Sequence, residues 1–309
     1  MPSEGESMNQ EEMRRLLQKK KRIVIKVGSA SITHPETGDL YLGKIEKLVR
    51  VITDLKGEER DVVLVSSGAI ACGRQTIGIR RRPRSMAEKQ AFAAVGQARL
   101  MMTYQKLFAE YSTVAAQLLL TKNVIVNPVS RRNTYNTFEE LLYLGVIPIV
   151  NENDTISTAE IYQVETFGDN DQLAAIVAAL IRADLVILLS DIDGVFTDDP
   201  HKNPNAELIP FVPVIDQHIL QMGSSDTGSS VGTGGMSSKL AAARIATDSG
   251  ADMVIAKFTT ADVIGDIIAG KNVGTLFAAH KNNNFNLMEY LQGEDEAEAQ
   301  DADDADGDE

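Results

Sequence analysis

A chain of 309 residues, 43% apolar and 24% charged, carries enough apolar material for one large α/β domain or two small ones. Its single cysteine, Cys72, excludes an internal disulfide and favours a reducing, cytoplasmic setting. The net charge of −14 is concentrated at one end, where residues 294–309 hold ten acidic groups and no base; without them the net charge is −4, which argues against a nucleic-acid partner. No apolar run is long enough to span a membrane and no hydrophobic leader opens the sequence, so no membrane role is expected.

Residues 1–20 are polar and charged and are expected to form a flexible N-terminal extension, although 10–21 has the make-up of a short helix. The run from Arg22 to Gly28 predicts a strand covered on both faces. Lys26 interrupts that run just before Gly28-Ser29-Ala30-Ser31, either as a phosphate contact or as a lysine whose stem reaches out to solvent. A helix over 42–55 and a second strand over 61–65 follow, and Ser66-Ser67-Gly68-Ala69-Ile70 turns into another helix. Free N–H groups beside small residues at the C-terminal edge of a strand suit ligand binding in open parallel sheets. A basic loop, Arg80 to Arg84, precedes helix over 86–111.

A third strand is predicted over 114–120, then a helix over 131–144 with Gly145 as its C-terminal cap. A fourth strand over 146–150 delivers Asn151-Glu152-Asn153-Asp154. Gly168-Asp169-Asn170-Asp171 opens a helix over 172–181; capping alone accounts for one such residue, and three polar side chains exceed that need. The fifth strand, 185–189, runs into a turn-rich loop from Ser190 to Pro200. Further strands are predicted over 253–257 and, as a short edge strand, 273–277.

Between the loop and the 253–257 strand lies Ser229-Ser230-Val231-Gly232-Thr233-Gly234-Gly235-Met236-Ser237-Ser238-Lys239, followed by alanine-rich helix. Its glycines permit close approach of backbone to a ligand, and the helix start offers N–H groups and a positive dipole end. The run is neither a Walker A loop nor a dinucleotide fingerprint, and an ordinary Gly/Ser surface loop is the competing reading. Lys239 sits in the first turn, where the dipole disfavours a cation. The four histidines, His34, His201, His218 and His280, are scattered, and none is read as a metal ligand. Strand and helix alternate throughout, which predicts an α/β fold: an open, mainly parallel twisted sheet with helices on both faces.

Taken together and in order, these pieces resemble the amino acid kinase family: Ile25 to Ser29, Val65 to Ile70, Val95-Gly96-Gln97, Asn151 to Asp154, Thr158 to Ile161, Gly168 to Asp171, Asp191 to Pro200 and Gly232 to Lys239. One departure is Gly28-Ser29-Ala30-Ser31, where the family often has Gly-Thr-Ser. The resemblance implies a three-layer αβα sandwich over 21–285, with an N-terminal lobe for the amino acid, a C-terminal lobe for ATP, and a disordered acidic tail over 286–309. Within the family the likeness is greatest to members that phosphorylate the side-chain carboxylate of glutamate, the first step of proline biosynthesis, commonly under proline inhibition. Kinases acting on N-acetylglutamate or aspartate, and a non-catalytic nucleotide sensor, are the alternatives.

The residue roles follow from the same resemblance. Lys26 and Lys239 are expected to flank the transferring phosphoryl group, with Asp171 orienting both ammonium groups. Asp154 is expected to pair with the substrate ammonium and Asn170 to donate to its α-carboxylate, with Ser67 and Gly68 completing that pocket. Ser190 and Asp191 are expected near the adenine and ribose, and Thr233, Gly234, Gly235, Met236, Ser237, Ser238 and Lys239 around the phosphates. Mg²⁺ is expected to travel with ATP, held by the phosphates with no protein cage. Homo-oligomers, dimers or tetramers, are the rule in the family.

Overall fold

Short runs of valine, isoleucine and leucine, each closed by a small or polar residue, form the strands β1 (Arg22–Val27), β2 (Asp61–Ser66), β3 (Ala115–Leu120), β4 (Ile147–Glu152), β5 (Leu185–Ser190), β6 (Phe211–Val212), β7 (Asp252–Lys257) and β8 (Thr275–Phe277). The intervening helices are α1 (Gln10–Leu16), α2 (Ser29–Ile32), α3 (Leu42–Gly57), α4 (Ala69–Ile77), α5 (Met86–Glu110), α6 (Lys122–Val126), α7 (Pro128–Tyr143), α8 (Asn170–Ile181), α9 (Gln217–Ser224), α10 (Met236–Ser249) and α11 (Asp262–Ile268). The computed structural model describes residues 9–34, 36–156, 169–198, 200, 202–203, 205–224, 235–282 and 285–291. The expectations for residues 1–8 and for the acidic run 294–309 lie outside them.

The strands form one sheet in the order β3-β4-β2-β1-β5-β7-β8-β6. All pairings are parallel except β7 with β8. Because side chains alternate along a strand, each strand feeds two cores. Ile23, Ile25 and Val27 of β1 join a core with α3, α5 and α11, while Val24 joins the opposite core with α7, α8 and α10. The result is the three-layer sandwich expected from the alternation of elements. The chain leaves β1 toward β2 on one side of the sheet and later leaves β5 toward β7 on the other, so a crevice opens at the C-terminal ends of β1 and β5. No helix among the described residues is long and apolar enough to cross a membrane.

Several boundaries differ from expectation for identifiable reasons. The helix expected over 131–144 starts at Pro128, because Asn127 accepts from the N–H groups of Val129 and Ser130 and proline suits the first helical position. The strand near 275 is not at the sheet edge, since the two-residue β6 pairs outside it. Residues 10–20 are no flexible extension. Met13 and Leu17 are buried, and the Arg14 guanidinium donates to the carbonyls of Pro210, Lys271, Val273 and Gly274. A buried guanidinium that donates to four carbonyls ties the helix to distant parts of the chain. At the other end, residues 285–291 belong to the body and not to the tail, with Leu291 buried and Phe285, Leu287, Met288 and Tyr290 packed on the second core.

The pair α4–α5 packs backbone against backbone. A Cβ at Gly96 would lie 1.7 Å from the Ala69 carbonyl oxygen, and one at Gly73 would lie 1.8 Å from that of Phe92. Gly96→Ala therefore must push the helices apart. We expect a loss on the order of 1–3 kcal/mol in urea denaturation, the scale of core overpacking; an unchanged midpoint and slope would contradict this close approach.

Candidate active site

Strand parity places the first functional side chain. Lys26 follows Val24 on β1, so it faces α8 and α10 and not the α3/α5 core. Asp171 occupies the first turn of α8, where a carboxylate is favoured by the dipole. Lys239 occupies the first turn of α10. Small residues on both helices, Ala174, Ala175 and Ala178 on one and Ala242, Ala243 and Ala246 on the other, are all buried in the shared core. That close packing brings the three charges together.

Lys26 pairs with Asp171 Oδ1, and Lys239 Nζ lies 3.2 Å from Asp171 Oδ2. Asp171 is fully buried and both lysines are only 6% exposed. Buried charges require partners. Here one carboxylate answers two ammonium groups, and the Asp169 carboxyl lies within electrostatic reach of both. Among the described residues no side chain caps the first turn of α10, which starts beside Lys239. Lys26 also stands close to the glycine that ends its strand: a Cβ at Gly28 would meet Lys26 Nζ at 3.7 Å. The arrangement fits a polyanion laid across the C-terminal ends of β1 and β5.

A cavity of about 180 Å³ adjoins this cluster, lined by Ser67, Gly68, Lys89, Asp154, Asp169 and Asn170 among others. Its polarity is wired by a chain of amides. The Glu152 N–H donates to Asn151 Oδ1, which fixes that amide's orientation. Asn151 Nδ2 then donates to Gln97 Oε1 at 2.9 Å, and Asn170 Nδ2 donates to Asn151 Oδ1 at 2.9 Å and to Ser67 Oγ at 2.8 Å. Both donors of Asn170 are therefore spent within the protein. What Asn170 retains is its carbonyl oxygen, an acceptor. The expectation that it donates to a substrate carboxylate is corrected by this network: its free atom suits an ammonium.

Asp154 sits in the same wall with its side chain 15% exposed, and Lys89 Nζ lies 3.8 Å from its Oδ1. Burial pushes the Asp154 carboxyl above its ordinary range, and Lys89 pulls it back in part. Asp169 is raised by burial and by Asp171, against the pull of Lys26 and Lys239. It lines the cavity and lies within 3.5 Å of Ser238 Oγ, so it joins the two halves of the site. The excess of polar groups in the 169–171 run was the signal for it. Lys89 carries no such signal, because it lies inside a helical stretch and reaches the cavity only through the α4–α5 packing; Gln97 belongs to a stretch that the resemblance singled out, but its contact with Asn151 could not be read from it.

Ser190 ends β5 opposite Lys257 of β7, and its hydroxyl donates to Asp191 at 2.9 Å. Asp193 and Asp198 behave as loop residues, paired with Lys257 and Asn203. Gly235, Met236, Ser237, Ser238 and Lys239 form the start of α10. Thr233 and Gly234, like Thr158 to Ile161, Gly168, Gly232 and His201, lie outside the described residues. Cys72 is buried in α4, and burial pushes its thiol pKa up, in keeping with a packing role.

Comparison with known proteins supplies an independent view. The model of the amino acid kinase family matches residues 21–257. The chain is 47% identical over 269 residues to the glutamate 5-kinase of Clostridium perfringens, covering 87% of this chain and 99% of the relative. It is 49% identical over 266 residues to the glutamate 5-kinase of Symbiobacterium thermophilum, covering 86% and 99%. Among solved structures, the UMP kinase of Ureaplasma parvum aligns with a TM-score of 0.57 at 15% identity, over 84% of this chain and 99% of that one; this likeness concerns the fold.

The Asp154 shift yields a direct check. Its folded pKa is raised above the unfolded value, so the ionised form costs stability, and stability falls as pH rises through that interval. A carboxyl-carbon NMR titration should place the Asp154 midpoint above the ordinary 3.8 and move it higher still in Lys89→Met. A midpoint at or below 3.8, or no response to loss of Lys89, would contradict the electrostatic description.

Proposed function

The chain belongs to the amino acid kinase family, and from that premise we propose that it transfers the γ-phosphoryl group of ATP to the side-chain carboxylate of L-glutamate, giving L-glutamyl 5-phosphate and ADP. The observation that carries this reading is the Lys26–Asp171–Lys239 cluster standing beside a cavity whose free polar groups match an amino acid. A glutamate side chain has a pKa of about 4.3, so the nucleophile is ionised at neutral pH and needs no general base. The obstacle is an anion approaching a polyanion. Two unit charges about 4 Å apart interact by roughly 4 kcal/mol at an effective dielectric of 20, so two fixed ammonium groups offset repulsion of that scale.

In this reading Lys26 holds phosphoryl oxygens on the attacking side and Lys239 stabilises the leaving side. Asp171 keeps both pointed at the same volume before substrate arrives. That is preorganisation: the charges need no rearrangement during the step. Ser190, Asp191 and the run from Thr233 to Lys239 hold the nucleotide. Mg²⁺ accompanies ATP, bound chiefly by phosphate oxygens, and neutralises charge on them.

Asp154 and the carbonyl oxygen of Asn170 together accept the glutamate ammonium. N-acetylglutamate has no ammonium, so the buried Asp154 carboxylate would be left facing an amide, a poor exchange for a desolvated charge. Proline carries a cationic amine and a carboxylate on one carbon, as glutamate does, and is expected to compete. The product enters proline biosynthesis in the cytoplasm. We place a homo-oligomer contact on the β3 edge of the sheet, where Val114, Tyr143 and Leu144 are all exposed.

Hydroxylamine trapping of the acyl phosphate, with glutamate, N-acetylglutamate and aspartate offered in turn, tests the proposal. Glutamate should give hydroxamate with ATP and the others little; a preference for another acid overturns it. Lys26→Ala and Lys239→Ala should each lower kcat about 10²-fold or more, the scale of losing one preorganised donor. Asp154→Ala should raise KM for glutamate with little change in KM for ATP, and equal effects on both substrates would remove its assigned role.

A further inference from the structure

We propose that Lys89 recognises the α-carboxylate of the amino-acid substrate, so that the cavity reads a zwitterion with Asp154 on one charge and Lys89 on the other. This inference rests on the glutamate reading above and adds a specificity residue to it.

The argument starts from what the cavity wall has left to offer. Asn170 has spent its donors on Ser67 and Asn151. Ser67 accepts from Asn170, which leaves its own hydroxyl proton as one neutral donor. Lys26 and Lys239 are tied to Asp171 on the phosphoryl side. Backbone N–H groups at the start of α4 add further neutral donors to this wall. A full negative charge desolvated there still gains from a countercharge, which neutral donors do not supply. Among the described residues lining the cavity, the cation not tied to Asp171 is Lys89.

Its own setting supports the assignment. Lys89 lies in the opening turns of α5, where the dipole opposes a cation, so helix stability does not explain the side chain. Glu88, the acid next to it in that turn, is engaged by Arg81. The 3.8 Å separation from Asp154 is longer than a charge-assisted hydrogen bond, and the lysine side chain is 39% exposed. The pair is therefore open: each group keeps bonding capacity for a ligand placed between them. An α-amino acid presents an ammonium and a carboxylate on the same carbon, which matches two opposite charges a few ångströms apart. The backbone contact of Gly96 with α4 sets the distance from α5, which carries Lys89, to the Ser67–Gly68 turn before α4, and so fixes the span of the receptor.

The test uses the full chain with glutamate, ATP and hydroxylamine, and compares wild type with Lys89→Met and Lys89→Arg. The competing ligand is 4-aminobutyrate, which keeps the ammonium and the side-chain carboxylate of glutamate but lacks the α-carboxylate. Lys89→Met should raise KM for glutamate about 10–100-fold, the effect of truncating one member of a charge pair. Turnover and KM for ATP should stay within a few-fold, and the inhibition constant of 4-aminobutyrate should not rise. Lys89→Arg should recover most of the glutamate affinity. An unchanged KM for glutamate in Lys89→Met overturns the inference. So does a parallel loss for glutamate and 4-aminobutyrate, since that pattern means Lys89 acts only by tuning Asp154. Absence of glutamate turnover in wild type is a different result: it removes the underlying functional reading and this inference with it.

Discussion

One buried carboxylate answering two ammonium groups is the constraint on which the rest of the site depends. Asp171 has no exposure to water, so its charge is tolerable only with partners. Lys26 and Lys239 repel one another and are equally removed from solvent, so each needs the same carboxylate. The cluster is stable as a unit, and removing any one member strands the others. It also holds what phosphoryl transfer would require, two ammonium groups fixed side by side. The unfavourable placement of Lys239 at a helix start is offset in the free protein by Asp171.

The sheet and its helices supply the positions. Parity along β1 turns Lys26 toward α8 and α10, and alanine-rich contact between those helices sets the distance from Asp171 to Lys239. On the other side, glycine-to-backbone contact between α4 and α5 sets the cavity. Behind that cavity, the Gln97–Asn151–Asn170–Ser67 chain settles which atoms are donors and which are acceptors. The two halves meet at residues 169–171, where Asp171 faces the lysines and Asn170 faces the cavity. A short run at one helix start thus couples the two expected binding regions.

Much of this was legible in the residues. The alternation of strands and helices gave a parallel sheet, and the small and polar residues closing β1, β2, β4 and β5 marked the edge where the site forms. Lys26 and Lys239 were visible as charges in an apolar strand and a glycine-rich run, while their grouping with Asp171 came from the family resemblance. The parts that escaped are those set by tertiary contact. Arg14 looks like one more base in a polar segment, and only its four carbonyl partners show that it anchors the chain start. Lys89 looks like an ordinary helix residue until α4 and α5 are docked. The direction of the Asn170 amide depends on Asn151, nineteen positions away in numbering, whose own amide is set by the Glu152 N–H, and no spacing rule encodes it. The two-residue β6 is too short to leave a periodic trace.

The central claim is that both lysines touch the phosphoryl group in flight. A crystal structure with ADP, aluminium fluoride and glutamate measures this most directly, because the fluoride complex stands in for the transferring group. The account predicts Lys26 Nζ and Lys239 Nζ both within hydrogen-bond distance of the fluoride ligands, with Asp171 still between them. A complex in which only one amine, or neither, reaches that group would contradict it.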